Sequence, residues 1–394
     1  MVRVRGLLFA CCVWTAALFG VCVASACAAE PHASPDAVPG ALPQSSAATL
    51  PAPSLDAMLG QMVMAGFRGL TVADSDPIAQ DIAAGRVGGV ILFDRDLTRP
   101  GPRNVANPAQ VAALVASLQR RAAIALFVAV DQEGGRVMRL GPKNGFPPLP
   151  AARTLGQGSP AVTEAMGAAT GRVLADAGAN LDFAPVADVD VNPDNPVIGK
   201  LERSFSADPE TVALHAAAFA RGLRGAGVLA CLKHFPGHGS AWNDSHFGMA
   251  DVTATWTEAE LVPYRRLLSQ GGADMVMTGH LFNARLDQAH PATLSFATIT
   301  GLLRGTLGYD GVVVSDDMQM RAVAAMYGLR QAVALAVNAG VDILLFGNNL
   351  SYDPVLPATA HRLLKELVAS REIPLERIEA SYRRIMRLKA ALRR

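Results

Sequence analysis

A surplus of either charge is missing from this 394-residue chain: 35 Lys and Arg stand against 34 Asp and Glu, a formal net charge of +1. Nucleic-acid binding draws its affinity from neutralised phosphates, so this balance removes the electrostatic case for a nucleic-acid partner. It leaves a small neutral substrate open. Cysteine is scarce too. Of five, Cys11, Cys12, Cys22 and Cys27 sit at the N-terminus and Cys231 is alone in the body, so no internal disulfide framework is available there. Cys231 lies in the apolar run 228–232 and reads as a buried structural thiol rather than a nucleophile. Phosphate-binding glycine loops and internal repeats are absent as well. What is abundant is apolar: 51% of residues are hydrophobic and 18% charged, enough to bury a large core and to exclude a disordered or fibrous chain. At about 150 residues per domain, the length allows two or three domains or one large α/β barrel.

The N-terminus reads as a targeting segment. A short basic start, Arg3 and Arg5, precedes an apolar run from Gly6 to about Val23, then Ala24-Ser25-Ala26, a small-residue cleavage pattern. Residues 1–27 are therefore expected to be a secretory signal peptide, with a retained membrane anchor as the alternative. Cys27 follows the small residues directly, which makes a lipidated Cys27 and a membrane tether a further alternative; Ala24, rather than Leu, stands at the −3 position. Residues 28–53 are rich in Ala, Pro and Ser without apolar periodicity and read as a disordered linker. Ser54 then looks like the N-cap of a first helix.

From there, short β-rich apolar runs recur at 62–67, 89–93, 125–130, 180–185, 227–232, 274–278, 311–315 and 341–346. Amphipathic stretches lie between most of them, at 109–120, 161–177, 211–226, 258–270, 298–307 and 329–339. Eight strands alternating with helices predict an α/β fold, a (β/α)8 TIM barrel forming a single domain over 54–394. An open doubly wound sheet is the competitor. The insertion at 187–206 is expected to be a loop between strand and helix.

Polar residues fall where the strands end. Asp131-Gln132-Glu133 follows the third run, Asp188 and Asp190 the fourth, Lys233-His234 the fifth, Gly279-His280 the sixth and Asp316-Asp317 the seventh. In a barrel these converge on the C-terminal mouth, where active sites lie, so the pattern predicts an enzyme. A carboxylate fixed at a strand end, as Asp316 would be, suits a nucleophile or a base. Asp317 would cap or brace the following loop.

The second element is Lys233-His234-Phe235-Pro236-Gly237-His238-Gly239, then Asp244-Ser245-His246. His234, His238, Asp244 and His246 are zinc-ligand types, but Pro236, Gly237 and Gly239 forbid the helix that would pair His-x3-His, so a loop is expected and no metal. Asp244 and His246 are close enough for the carboxylate to accept a hydrogen bond from one imidazole nitrogen, leaving the other to exchange a proton. A solvated pair without a role reads equally well from the spacing alone.

These strings, with Asp131-Gln132-Glu133-Gly134-Gly135-Arg136-Val137 and Ser315-Asp316-Asp317-Met318, resemble glycoside hydrolase family 3, and most of all its β-N-acetylglucosaminidase (β-N-acetylhexosaminidase) branch. The resemblance covers nearly all of 54–391. It implies that Asp316 is a nucleophile forming a covalent glycosyl-enzyme, His246 the acid/base and Asp244 its dyad partner. It implies that Asp131, Arg139, Arg203, Lys233 and His234 bind the sugar, and that no cofactor is needed. Many β-glucosidases of the family take their acid from a second, sandwich domain. Here about 48 residues follow the last strand run, mostly a closing helix at 375–392, so the acid is expected from the barrel itself.

The implied substrate is a terminal β-linked N-acetylglucosamine, from peptidoglycan fragments. Many relatives are cytoplasmic. The export signal and tether depart from them and point instead to a periplasmic, exported enzyme, lipid-anchored if Cys27 is modified. Other readings are a β-glucosidase or a phosphorylase of the same fold, a metal-dependent amidohydrolase, and a non-catalytic wall-binding lipoprotein.

Overall fold

A computed structural model describes residues 53–392 apart from 247. The expected signal peptide (1–27), Cys27 and all of the linker but its last residue lie outside the described residues. Ser54 caps the first helix, Leu55–Gln61, its Oγ accepting from Ala57 N at 3.2 Å.

Eight parallel strands follow: β1 (Val63–Gly66), β2 (Gly89–Leu92), β3 (Phe127–Val130), β4 (Leu181–Asp182), β5 (Leu229–Phe235), β6 (Met275–Thr278), β7 (Val312–Ser315) and β8 (Leu344–Phe346). They pair in chain order from β1 to β7, and β8 pairs with β1. The ring is nearly closed. Between β7 and β8 there is one bridge, Val314 to Ile343, with Ser315 N donating to Ile343 O at 2.9 Å. That contact favours the barrel over the open sheet. Strands covered on both faces read as unbroken apolar runs, which is why the sequence displayed them so plainly.

The outer helices begin where caps are strong. Asn107, Ser159 and Asp208 accept from Gln110, Val162 and Thr211 N–H groups, and Pro108, Pro160 and Pro209 each occupy the first turn. The helices Pro160–Asp176 and Pro209–Gly225 touch backbone to backbone. A side chain at Gly222 would lie 2.3 Å from Glu164 O, so only glycine fits. The last helix, Leu375–Ala391, seals the N-terminal end of the barrel. Its buried Lys389 donates to Gly88 O at 2.8 Å and Ala125 O at 2.7 Å. The C-terminal end stays open.

Some boundaries differ from expectation. β4 is two residues rather than six, because Pro185 has no N–H for the ladder and the chain turns into the 187–206 loop. β5 runs on through Lys233, His234 and Phe235, which were expected in a loop; the buried cations and carboxylates around them satisfy their polar groups. The expected helix at 298–307 is a π-helix, Ala297–Thr306, and the one at 329–339 continues a helical stretch from Arg321 that breaks at Gly328 (φ 66°). Cys231 is buried in β5, as expected of a structural thiol.

Candidate active site

A cavity of about 470 Å3 opens at the C-terminal ends of the strands. Seven of the eight expected residues line it: Asp131, Arg139, Arg203, Lys233, His234, His246 and Asp316. Asp244 stands behind His246. Phe183, Met277 and Leu345 supply apolar wall.

Asp316 follows β7 directly. Its backbone N–H donates to Thr278 O at 3.1 Å, so it is still tied to β6, and Asp317 N donates to its Oδ1 at 2.8 Å. Burial works to raise its carboxyl, but the imidazoles of His280, His234 and His246 hold it below the usual carboxylate range. Asp316 is therefore charged and aimed at the cavity from a rigid strand end. Asp317 differs. Its Oδ1 accepts from Gln319 N and Gly347 N, both at 3.0 Å, bracing the loops after β7 and β8. Burial pushes it up to about 6.

The opposite wall is a buried ion network. Lys233 Nζ lies 2.7 Å from Asp131 Oδ1 and 2.6 Å from Glu133 Oε1. Arg203 grips Glu133 with two bonds of 2.7 Å, and Arg139 Nη2 reaches Asp131 at 3.2 Å. Burial would raise both carboxyls, yet Lys233, Arg139 and Arg203 hold Asp131 well below its ordinary value, and Arg203 and Lys233 lower Glu133. His234 Nδ1 lies 2.7 Å from Asp188 Oδ2, and its Nε2 is 3.4 Å from Arg203 Nη2. Against burial, His234 brings Asp188 down to about 2. Fixed donors and acceptors on one wall suit a polyhydroxylated ligand.

On the solvent side, His246 Nδ1 lies 2.7 Å from Asp244 Oδ1. The imidazole is 45% exposed and the carboxylate 23%. The cavity thus holds a charged carboxylate, a carboxylate-oriented imidazole and a polar wall.

The glycosyl hydrolase family 3 N terminal domain matches residues 54–388. The chain belongs to this family. It is 37% identical over 375 residues to beta-hexosaminidase LpqI of Mycobacterium tuberculosis, covering 91% of this chain and 88% of the relative. A beta-hexosaminidase of Tolumonas auensis is 39% identical over 270 residues, 67% of this chain and 76% of the relative. Among solved structures, a glycoside hydrolase family 3 beta-N-acetylglucosaminidase from Paenibacillus sp. superposes with a TM-score of 0.80 at 39% identity, covering 87% of this chain and 63% of that one. This chain thus spans under two thirds of that protein.

In this family 3 glycosidase three further strand-end carboxylates have fixed partners. Glu133 and Asp188, which the sequence marks only as polar residues after strand ends, are engaged by Arg203 with Lys233 and by His234; Asp190 pairs with Arg153 at 2.6 Å. Glu260 gave no signal, because an acid in the first turn of a helix is ordinary. Its side chain is buried and accepts from Ser240 N at 3.3 Å. The glycines that exclude a helix here also have a packing role: a side chain at Gly239 would lie 1.6 Å from Val189 O, and one at Gly237 2.6 Å from Glu260, so both serve close packing. Gly248 has open space.

Proposed function

We propose that this glycosidase is a retaining exo-β-N-acetylglucosaminidase that removes terminal β-linked N-acetylglucosamine. The observation that carries the reading is one cavity holding a charged strand-end carboxylate, Asp316, and the His246–Asp244 pair. The names of the relatives support the choice of sugar.

Asp316 attacks the anomeric carbon while the glycosidic bond breaks, and His246 gives its proton to the departing oxygen. The product of this step is a glycosyl ester on Asp316. His246 then takes a proton from water, the water oxygen attacks the same carbon, and Asp316 leaves as a carboxylate. Asp244 fixes the tautomer and orientation of the imidazole. Lys233, Asp131, Arg139, Arg203 and His234 hold the sugar hydroxyls. An imidazole in the acid/base role avoids a second negative charge beside Asp316. The source of the sugar is peptidoglycan fragments, and the enzyme is exported to the periplasm, lipid-anchored where Cys27 is modified.

The test is turnover of an aryl β-N-acetylglucosaminide beside the aryl β-glucoside, with and without phosphate. The proposal expects a wide preference for the N-acetyl sugar and free sugar as product. Equal efficiency on both sugars, or a sugar phosphate as product, overturns it.

A further inference from the structure

The loop that leaves β5 has two halves. Its root, residues 236–241, is buried and held on every side. His238 N donates to Asp188 Oδ1 at 2.8 Å, Asn195 Nδ2 to His238 O at 2.7 Å and Asn192 Nδ2 to Ala241 O at 3.0 Å. Trp256 Nε1 donates to Pro236 O at 3.1 Å. The tip carries Asp244 and His246 and is largely exposed; Trp242 is 62% exposed. Ser245, between the two dyad residues, breaks that pattern. It is 2% exposed, and its Oγ lies 3.2 Å from His238 Nε2. Among the described residues this is the only hydrogen bond that joins tip to root.

His238 has no part in the reaction as written, yet it is set as firmly as the residues that do. We propose that His238 and Ser245 are positioning residues: the contact between His238 Nε2 and Ser245 Oγ docks the loop tip and thereby fixes the stance of His246 toward Asp316. The argument is one of covalent geometry. Asp244, Ser245 and His246 are consecutive, and Asp244 Oδ1 already accepts both the backbone N–H of His246 at 2.9 Å and pairs with its Nδ1. The three residues therefore form one rigid turn, and a bond to the middle side chain anchors the whole turn. Without it, the turn stays intact but is free to move against the barrel. A neutral imidazole and a hydroxyl suit this task, since each can donate or accept and neither brings a charge that would need a buried partner. Burial, with His234 nearby, keeps His238 down at about 4, so it is neutral across the working range.

The inference rests on His246 being the acid/base, and the experiment separates the two. Ser245→Ala removes the anchor without opening the core. On an N-acetylglucosaminide with a poor, basic leaving group its kcat should fall about tenfold, the scale of one lost hydrogen bond. Formation of the glycosyl-enzyme from an activated aryl substrate, the Ki of N-acetylglucosamine and Tm should stay near wild type. On the activated aryl substrate, where breakdown of the glycosyl-enzyme limits turnover, azide should restore what is lost, and Ser245→Thr, which keeps the hydroxyl, should recover activity on both substrates. His238→Leu, which removes Nε2, should behave like Ser245→Ala in kcat on the poor leaving group. In a His246→Ala background, Ser245→Ala should add nothing. Wild-type kcat on the poor leaving group in Ser245→Ala overturns the inference, and so does a loss of glycosyl-enzyme formation on the activated substrate equal to that on the poor one. If His246→Ala itself shows no dependence on the leaving group, the acid/base assignment fails, a result distinct from either of these.

Discussion

His246 and Asp244 stand in the same relation as His234 and Asp188: in each pair Nδ1 lies 2.7 Å from a carboxylate oxygen. What separates the pairs is solvent. The side chains of His234 and Asp188 are 8% and 0% exposed, those of His246 and Asp244 45% and 23%. A buried imidazole between Asp188 and Arg203 is a fixed polar contact. An imidazole at the open side of the cavity can exchange protons with water. In the proposed mechanism the same local chemistry serves two roles, substrate contact at His234 and proton transfer at His246.

If Asp316 is the nucleophile, Asp316→Ala should lose turnover by on the order of 10³-fold or more while the fold persists, since the other charged strand-end carboxylate in the cavity, Asp131, is already paired with Lys233 and Arg139. A mechanism-based fluorosugar should label Asp316, read by peptide mass. Labelling of Asp317 would reverse the two assignments. Asp317 is poorly suited, because both of its backbone contacts already hold it in the loop brace.

His246→Ala tests the acid/base role through the leaving group. An activated aryl group departs without a proton, so the first step should survive comparatively well and a burst should appear. Basic leaving groups should slow by about 10²–10⁴-fold. Azide, which needs no base, should restore turnover as glycosyl azide. Asp244→Ala should give a milder loss with a displaced pH profile, because Asp244 acts only through the imidazole. Equal losses across leaving groups would make His246 structural.

How far the sequence reaches can be judged from particular residues. The eight strands were legible because each is buried on both faces and therefore continuously apolar. Their ends were less so: Lys233 and His234 are polar yet belong to β5, since their partners, Asp131, Glu133 and Asp188, come from elsewhere in the chain. The cavity residues were legible through motif resemblance and strand-end position. Glu260 and the anchoring of Ser245 were not. Both depend on contacts between a loop and the turns packed under it, and no local pattern encodes such contacts. Gly237 and Gly239 show the same limit: the fold uses them for close approach to Glu260 and Val189, contacts that their own segment does not encode.

Lys233→Met should destabilise the fold by about 3–5 kcal/mol, because it strips a buried cation from Asp131 and Glu133 together. Without Lys233 those carboxyls rise toward their ordinary values or above. Protonation then relieves the unpaired charge, so the loss should be larger at pH 7 than at pH 5. Chemical denaturation at both values checks this; a loss independent of pH would mean that Lys233 acts by packing alone.

Glu260 gives the opposite pH signature to that of the paired carboxylates. Its ordinary value is 4.5, and burial pushes it up to about 7 in the fold. The folded state therefore binds the proton more tightly than the unfolded chain. Below pH 4.5 both states are protonated and nothing is lost. Between about 4.5 and 7 the unfolded chain ionises first, so stability falls as pH rises, and above 7 the deficit is constant at roughly 3 kcal/mol. Asp188, brought down to about 2, contributes stability that is lost only as pH falls below about 4, outside this window. Glu260→Gln keeps an oxygen to accept from Ser240 N but has no proton to lose. Its Tm relative to wild type should therefore climb by several degrees from pH 5 to pH 8, with most of the change between 5 and 7. Asp317, raised to about 6, is present in both proteins and cancels in the difference. A Tm difference that stays flat across that range would mean that Glu260 is ionised in the fold at pH 5, and that its contact with the loop root is a charged one.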